Sequence, residues 1–282
     1  MPAPPIVLLT DFGLADAYVG MMRGVIASVN PDIPVIDLTH GIGPQDIRHG
    51  AVVLADSHRY FPPHSIFVAV VDPGVGTDRA AILLDTPDGR YLAPDNGLLT
   101  LVCREYAPSF GEDETSSPTA LPGVCRAWRL TNPAYWQHPV SDTFHGRDVF
   151  APVAAHLSRG VPPDSLGEPE DAIVALPLPS PRPEGNTVRG QVIFADAFGN
   201  LVTDITENVL SGMGISSGDP SVTVRVAGCA IAGLSRTFHH PPGDGLRALL
   251  GSHGRLEVVV VNGNAAQFLR VKSGDPVVVT SG

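Results

Sequence analysis

The sequence predicts an α/β N-terminal domain with a mainly parallel sheet, followed by an all-β, barrel-like C-terminal domain. Short apolar strands alternate with segments of helical spacing near the N-terminus, which is typical of βαβ units. A proline-rich stretch follows, and beyond it short strands are separated by glycine-rich turns without a convincing helical pattern. We therefore expect an α/β domain at residues 1–160, a linker at 161–186 and a β-barrel-like domain at 187–282.

In the N-terminal domain, each of the first three predicted strands ends at or near an aspartate. The expected elements are strands at Ile6–Leu9, Ile33–Leu38 and Ile66–Val71, and helices at Ala17–Asn30 and Asp46–Tyr60. The aspartates are Asp11, Asp37 and Asp72. Ligands of open α/β sheets bind just beyond the carboxyl ends of the strands. The pattern therefore predicts a ligand site lined with carboxylates.

The segment Ile66–Arg79 carries the clearest signal. Its continuous apolar run is typical of a strand buried on both faces, and the proline and glycines after Asp72 enforce a tight turn. Arg79 follows in the same turn. The alternative interpretation is that Asp72 only caps the exit from the strand.

The rest of the first domain is expected to hold a hairpin, two helices and a surface excursion. These elements are the hairpin strands Ala81–Asp85 and Tyr91–Leu92, the helices Leu98–Cys103 and Val149–Leu157, and the excursion 107–123. His145 precedes the second helix in a polar turn beside a glycine. An accessible histidine there can titrate near neutrality, which suits acid–base chemistry.

Composition narrows the class of partner. The chain has 282 residues, a formal net charge of -11 and only 18 lysines and arginines, which argues against nucleic acid and favours a small cationic ligand. No apolar run reaches the roughly 20 residues that span a bilayer, and the N-terminus lacks the basic region of a signal peptide. The three cysteines are far apart and suggest neither disulfides nor a zinc site. We expect a cytoplasmic protein without membrane contact.

Several familiar motifs can be set aside. Asp11-Phe12-Gly13 and His145-Gly146-Arg147-Asp148 resemble kinase loops, but their order is wrong and a glycine-rich nucleotide loop is missing. Phosphate-loop and dinucleotide fingerprints are absent too. No paired-histidine spacing supports a metal site, so no metal is expected. The isolated His58 and His64, and the pair His239-His240, are predicted to lie on the surface.

Taken together, the motifs resemble the S-adenosylmethionine hydroxide adenosyltransferase family, relatives of fluorinase and chlorinase. The matching blocks run in order along nearly the whole chain: TDFGLADAYVG, VVDPGVGTDR, APDNGLL, FHGRDVFAPVAAHL, DAFGNLVTDI and GRLEVVVVNGNAA. The resemblance implies attack of water on ribose C5′ of S-adenosylmethionine, giving adenosine and L-methionine. It also implies no cofactor and a homotrimer with its sites between subunits.

The resemblance also assigns residues. It implies catalytic roles for Asp72, Arg79 and His145, and substrate-binding roles for Asp11, Asp16, Asp196, Phe198, Asn200, Ser252 and Glu257. Within this set Asp16 is expected at the ribose hydroxyls, and Ser252 and Glu257 at the amino-acid end of the substrate. One departure is Asp204, which stands where asparagine is usual in the family.

The expected chemistry needs an activated water. A sulfonium leaves readily, so a base that accepts the proton of water and a guanidinium that stabilises the developing hydroxide would suffice. Either Asp72 or His145 could be that base. Halogenating relatives carry a tyrosine at the position of Asp72, which favours hydroxide over halide here. A halide-dependent adenosyltransferase and a non-catalytic nucleoside or S-adenosylmethionine sensor stay as alternatives.

Overall fold

The computed structural model describes residues 4–112, 115–178, 180–239 and 245–282. The chain divides into two compact units, residues 1–178 and 179–282. Of the residues 240–244, His240 was predicted to lie on the surface, and it is outside the described residues.

The first unit is built on a seven-stranded mixed sheet of order β2-β1-β3-β5-β4-β7-β8. Its strands are β1 (Ile6–Thr10), β2 (Val35–Thr39), β3 (Ser65–Val70), β4 (Ala81–Asp85), β5 (Gly89–Pro94), β6 (Ser117–Ala120), β7 (Arg126–Arg129), β8 (Glu168–Glu170) and β9 (Ala172–Ala175). Strands β2, β1, β3 and β5 are parallel, and β4, β7 and β8 add antiparallel neighbours. Strands β6 and β9 form a separate antiparallel pair.

Helices cover both faces of this sheet. They are α1 (Tyr18–Val29), α2 (Ile47–Ser57), α3 (Thr100–Arg104), α4 (Ala151–Ser158) and α5 (Pro163–Leu166). Strand β1 alternates between two cores: Ile6 and Leu8 face α1 and α4, whereas Val7 and Leu9 face α2 and α3. Successive side chains of a strand point to opposite faces of the sheet, and both faces of β1 are buried. This explains the continuous apolar run in the sequence. The predicted α/β class with a mainly parallel sheet is confirmed.

The register of the sheet brings two of the three predicted aspartates to one edge. Thr10 pairs with Val70 where β1 and β3 run in parallel, so Asp11 and Asp72 both lie just past the carboxyl ends of adjacent strands. Asp37 instead lies within the edge strand β2, whose residues are only partly buried. Apart from Ser65 at its start β3 is apolar, and it is buried throughout, as its composition predicts.

Two segments contain more regular structure than their composition suggests. Part of the expected linker 161–186 forms α5, β8 and β9, and β8 extends the sheet by pairing with β7. The expected excursion 107–123 supplies β6. Proline argues against a strand when only the sequence is considered. Pro169 in β8 and Pro118 in β6 are tolerated because both strands are short and lie at sheet edges.

The second unit is an eight-stranded antiparallel sheet that nearly closes on itself. Its strands are β10 (Arg182–Glu184), β11 (Thr187–Ala195), β12 (Leu201–Thr206), β13 (Thr223–Val226), β14 (Cys229–Ala232), β15 (Leu246–Leu250), β16 (Arg255–Val260) and β17 (Pro276–Thr280). Alternate side chains such as Val188, Val224 and Val277 fill one core. The predicted all-β, barrel-like class is confirmed.

Two short helices interrupt the second unit, α6 (Glu207–Gly212) and α7 (Ala265–Leu269). They are too short for a readable helical period, but side chains mark their starts: Thr206 accepts from the Val209 amide and Asn264 from the Gln267 amide. Among the described residues of the whole chain, no helix is both long and apolar enough to cross a membrane.

Candidate active site

Asp72 and Arg79 form a bidentate ion pair across the turn that follows β3. Arg79 Nε lies 2.9 Å from Asp72 Oδ1 and 3.0 Å from Oδ2, and Nη2 also donates to Oδ2. The two side chains are only 5% and 11% exposed, respectively. The guanidinium carbon lies 5.7 Å from the centre of the Phe150 ring, which supports it from one side. This fork geometry fixes the arginine in position and direction.

His145 completes the group from a different part of the chain. Its Nδ1 lies 2.8 Å from Arg79 Nη2. Because a guanidinium can only donate, Nδ1 must accept, and the ring is neutral with its proton on Nε2. Burial and, next, the charge of Arg79 lower the pKa of His145, while Asp72, Asp148 and Asp142 oppose this shift. The histidine is therefore held in its neutral form near pH 7.

The turn that carries Asp72 and the loop that carries His145 touch directly. Gly76 has a φ of 78°, and a Cβ there would lie 2.3 Å from the carbonyl oxygen of Asp142. Only glycine permits both the backbone conformation and this approach. Beyond His145 the chain makes one π-helical segment, Gly146–Phe150, before α4. Insertions of this kind are frequent at functional sites.

The buried carboxylate of Asp148 fixes the loop before His145. Its Oδ2 accepts from the Ser141 amide at 2.8 Å, and its two oxygens accept from Arg147 Nε and Nη2 at 2.6 and 2.9 Å. The Asp148 side chain is fully buried. Asp148 falls within the matching block FHGRDVFAPVAAHL, but no role was predicted for it.

Asp11 and Asp16 occupy different positions relative to the sheet edge. Asp11 directly follows β1 and accepts from the Gln45 amide at 2.8 Å through Oδ2. Asp16 is exposed, lies before α1 and lines an open surface cleft with Arg23 and Asp37. Asp11 follows the strand that pairs with β3, so it lies at the same edge of the sheet as the Asp72 turn.

A buried threonine–histidine pair lies next to Asp11 and was not among the residues predicted from the sequence. Thr10 Oγ1 and His40 Nδ1 are 2.8 Å apart, and the Gly13 amide donates to the His40 carbonyl oxygen at 2.8 Å. Both side chains are buried. The available signal was the position of His40 just after β2, at the same edge of the sheet.

In the second unit, Asp196 and Asn200 organise the turn between β11 and β12. Asp196 Oδ1 accepts from the amides of Phe198 and Asn200, at 2.9 and 2.8 Å, and Oδ2 accepts from Asn200 Nδ2 at 2.8 Å. Gly199 has a φ of 84° and packs against Asn264. The turn is therefore rigid, and it leaves the Phe198 ring 77% exposed, an unusual state for a large aromatic side chain.

Glu257 lies on β16 beside this turn, whereas Ser252 is exposed in the preceding loop. Burial, and next the charge of Asp196, raise the pKa of Glu257 to about 6. Ser252 Oγ contacts His253 Nδ1 at 3.4 Å. Across the described residues, no group of three or more histidine, cysteine, aspartate or glutamate side chains is arranged to hold a metal ion.

Comparison with known proteins matches both parts of the chain. The model of the SAM hydroxide adenosyltransferase N-terminal domain matches residues 6–167, and that of the C-terminal domain matches residues 190–278. A protein from Salinispora arenicola named (R)-S-adenosyl-L-methionine hydrolase is 41% identical, over 99% of this chain and 98% of its own length. A Thermus thermophilus protein of the same name is 39% identical, over 97% and 98%.

More distant and structural relatives agree. A fluorinase from Actinoplanes sp. is 28% identical over 76% of this chain and 77% of its own length. The crystal structure of an uncharacterised conserved protein from Thermotoga maritima is 36% identical, with a TM-score of 0.86 over 98% of this chain and 99% of that one. The chain belongs to the SAM hydroxide adenosyltransferase family.

Proposed function

We propose that this protein is an enzyme that hydrolyses S-adenosyl-L-methionine, with water attacking ribose C5′ to give adenosine and L-methionine. The observation that carries the proposal is the Asp72–Arg79–His145 group, held together at the carboxyl edge of the sheet. Relatives that match over their full length are named for this hydrolysis, and fluorinases match less closely and over less of the chain.

Asp72 is proposed as the base. The leaving sulfide needs no proton, so the only proton transfer is from the attacking water. His145 Nδ1 already accepts from Arg79, and its Nε2 carries a proton. Asp72 Oδ1 accepts one hydrogen bond, from Arg79 Nε, and an ionised carboxylate oxygen can accept another. In this arrangement Asp72 Oδ1 takes the proton and His145 Nε2–H donates to the water oxygen.

Arg79 stabilises the charge that develops on the water oxygen. Its guanidinium stays fixed because Asp72 binds it through two oxygens and His145 through a third contact. A preorganised cation in a partly dry site acts without reorganisation during the reaction, which is the most effective use of electrostatics in catalysis.

The remaining predicted residues are proposed to bind substrate. Asp11 and Asp16 offer carboxylates for the ribose hydroxyls, and the exposed Phe198 offers a face for the adenine ring. Asp196, Asn200 and Ser252 are proposed around the methionine portion. Glu257 would pair with the substrate ammonium, and this pairing would stabilise the ionised form of the Glu257 carboxyl group.

The name of the relatives also defines a stereochemical question. The prefix L fixes the α-carbon of the amino acid, so their (R) describes the pyramidal sulfonium. We propose that this chain likewise prefers the (R) sulfonium epimer. Presenting each epimer separately to the enzyme, and comparing kcat/KM, tests this preference.

Three further features are part of the proposal. No cofactor or metal is needed, because the substrate carries its own leaving group. The cytoplasm is proposed as the compartment, which suits three free cysteines. A homotrimer with sites between subunits is proposed from the family resemblance, and a sedimentation-velocity measurement that finds a monomer would contradict it.

The deciding experiment follows adenosine by chromatography after incubation of the pure protein with S-adenosyl-L-methionine. We expect adenosine and methionine in equal amounts, and a loss of about 10²–10⁴-fold in kcat in Asp72→Ala. Absence of adenosine would refute hydrolysis. Halide-dependent formation of a 5′-halo-adenosine would instead support a transferase, and tight binding with ligand recovered intact would support a sensor.

A further inference from the structure

The turn that carries Asp72 and Arg79 is held at both ends by one neighbouring turn. Asn96 Nδ2 donates to the carbonyl oxygen of Val71, the residue before Asp72, at 2.8 Å. The Asp95 amide donates to the carbonyl oxygen of Ala80, the residue after Arg79, at 2.8 Å. Two adjacent residues at the exit of β5 therefore fix the entrance and the exit of the catalytic turn.

The Val71 carbonyl needs this partner because it lies beyond the ladders of the sheet. The pairing of β3 with β5 ends at Val68, and the pairing with β1 ends at Val70. Val71 itself is fully buried, where water is not available to satisfy a carbonyl oxygen. The Asn96 side-chain amide supplies the hydrogen bond that a neighbouring strand would otherwise donate, at the point where the chain turns towards Asp72.

Asn96 can act as a rigid support because its own turn is fixed. Asn96 Oδ1 accepts from the Leu98 amide at 3.2 Å, and Asp95 Oδ1 accepts from the Val174 amide at 2.7 Å. Gly97 has a φ of 95°, and a Cβ there would lie 2.6 Å from the Cβ of Leu176. The turn is thus anchored to the segment that contains β9.

We infer that Asn96 is a positioning residue for the hydrolysis proposed above, acting through the Val71 carbonyl to fix where Asp72 and Arg79 stand relative to His145. Arg79 has to meet Asp72 within its own turn and His145 on another loop at the same time. A shift at the base of the turn would be transmitted to both contacts. Misplacement by about 1 Å at an active site can lower the rate about 10²-fold.

The chain contains a matched control for a purely structural effect. Asn132 Nδ2 donates to the Ser165 carbonyl oxygen at 2.7 Å, and its Oδ1 accepts from the Ala134 amide, two residues on, at 3.1 Å. Asn96 makes the same pair of bonds and is similarly half-buried. Asn132 is not bonded to the Asp72–Arg79 turn, so its loss should lower stability without the specific effect on turnover.

The kinetic test compares Asn96→Asp, Asn96→Ala and Asn132→Ala with the unaltered protein. Asn96→Asp keeps the acceptor for Leu98 but replaces the donor to Val71 with a carboxylate oxygen, which repels the Val71 carbonyl. We expect both Asn96 variants to lower kcat about 10–100-fold with KM changed less than about threefold. Asn132→Ala should keep kcat within about twofold. Equal kcat in all four proteins, or a fall in kcat for Asn132→Ala as large as for Asn96→Ala, would overturn the inference.

A second readout does not depend on turnover. Burial lowers the pKa of His145, Arg79 lowers it further, and Asp72, Asp148 and Asp142 raise it. If the turn loosens in Asn96→Ala, Arg79 moves from Nδ1 and the pKa of His145, followed by NMR of the ring, rises towards its ordinary value. An unchanged titration would overturn the inference. Failure of the proposed function is distinct, because then the unaltered protein itself releases no adenosine.

Discussion

Two histidines of the first unit lie in polar clusters towards opposite edges of the same sheet, and they differ in what their ring nitrogens are free to do. His145 meets Arg79 beyond the carboxyl end of β3. His58 meets Tyr91, which pairs with Phe67 nearer the amino end of that strand. Both clusters also contain a carboxylate, Asp72 in one and Glu105 in the other.

In the His58 cluster both ring nitrogens are occupied. Nε2 lies 2.8 Å from Glu105 Oε1, and Nδ1 lies 2.7 Å from the Tyr91 hydroxyl. Because an ionised carboxylate only accepts, Nε2 donates to Glu105, and the Tyr91 hydroxyl is the hydrogen-bond partner of Nδ1. His58 is 5% exposed, so its predicted surface position was wrong. The exposed His64 and His239 agree with the prediction.

The difference shows why a histidine near a carboxylate does not by itself predict a site. His58 links the end of α2, the end of α3 and β5, and has no capacity left for a ligand. His145 is half-exposed, and its Nε2–H has no partner among the described residues. Unused hydrogen-bonding capacity at a solvent-accessible edge separates the proposed catalytic cluster from the structural one.

Between the two histidine clusters, the largest expected effect is on turnover in His145→Ala. Loss of the Nε2–H donor should lower kcat about 10²–10³-fold, as removal of a donor to a developing oxyanion does. The free energy of unfolding should change by less than about 1 kcal/mol, because the ring is half-exposed. Steady-state adenosine release and chemical denaturation measure the two effects. A variant that loses stability but keeps kcat would remove the distinction between the clusters.

The opposite pattern is expected in His58→Ala. This change leaves a cavity beside Phe67 and removes a partner from both Tyr91 and Glu105, so unfolding should become easier by about 3 kcal/mol. The folded variant should keep kcat within about twofold. Denaturant titration and turnover at low temperature, where the variant is folded, provide the measurements. A tenfold fall in kcat in fully folded His58→Ala would show that this cluster reaches the site.

The parts of the fold and the site that could be predicted from the sequence are those that depend on residues close together in the chain. The apolar run of β3 and the proline and glycines after it were sufficient to place Asp72 and Arg79 in one turn at a sheet edge. The approach of His145 depends on Gly76 lying against Asp142, a contact between segments far apart in the chain, and only the family resemblance suggested it. His58 and Asn96 gave no local signal at all. Their roles arise from hydrogen bonds to residues on other elements.

A smaller effect is expected at Asp204 on β12, a buried carboxylate that contrasts with Asp72. Its Oδ1 accepts from the Gln191 amide at 2.8 Å, but its Oδ2 has no hydrogen-bond partner among the described residues. Burial raises the pKa of Asp204 to about 6, although Arg255 opposes the shift. The ionised form of Asp204 is therefore penalised by folding.

Asp204→Asn should stabilise the protein in a pH-dependent way. Below the ordinary aspartate pKa of about 3.8 both states are protonated, and the wild type bears no penalty. The penalty grows as pH rises from there to about 6 and is then complete. At pH 8 we expect a gain of about 1–3 kcal/mol in the free energy of unfolding, and almost none at about pH 3. A gain that is equal at both pH values would contradict this account.

The smallest expected effect is in Tyr91→Phe, which tests how much the hydrogen bond between Tyr91 and His58 contributes to stability. Burial raises the pKa of Tyr91, so the hydroxyl stays protonated and is able to donate to His58 Nδ1. Its removal leaves that nitrogen unpaired and should cost about 1 kcal/mol of unfolding free energy without changing kcat. In a His58→Ala background the same change should cost much less, because the acceptor is already gone. A double-mutant cycle with no coupling would show that the hydroxyl stabilises the sheet through another partner, and the His58 cluster would then lose its main difference from that of His145.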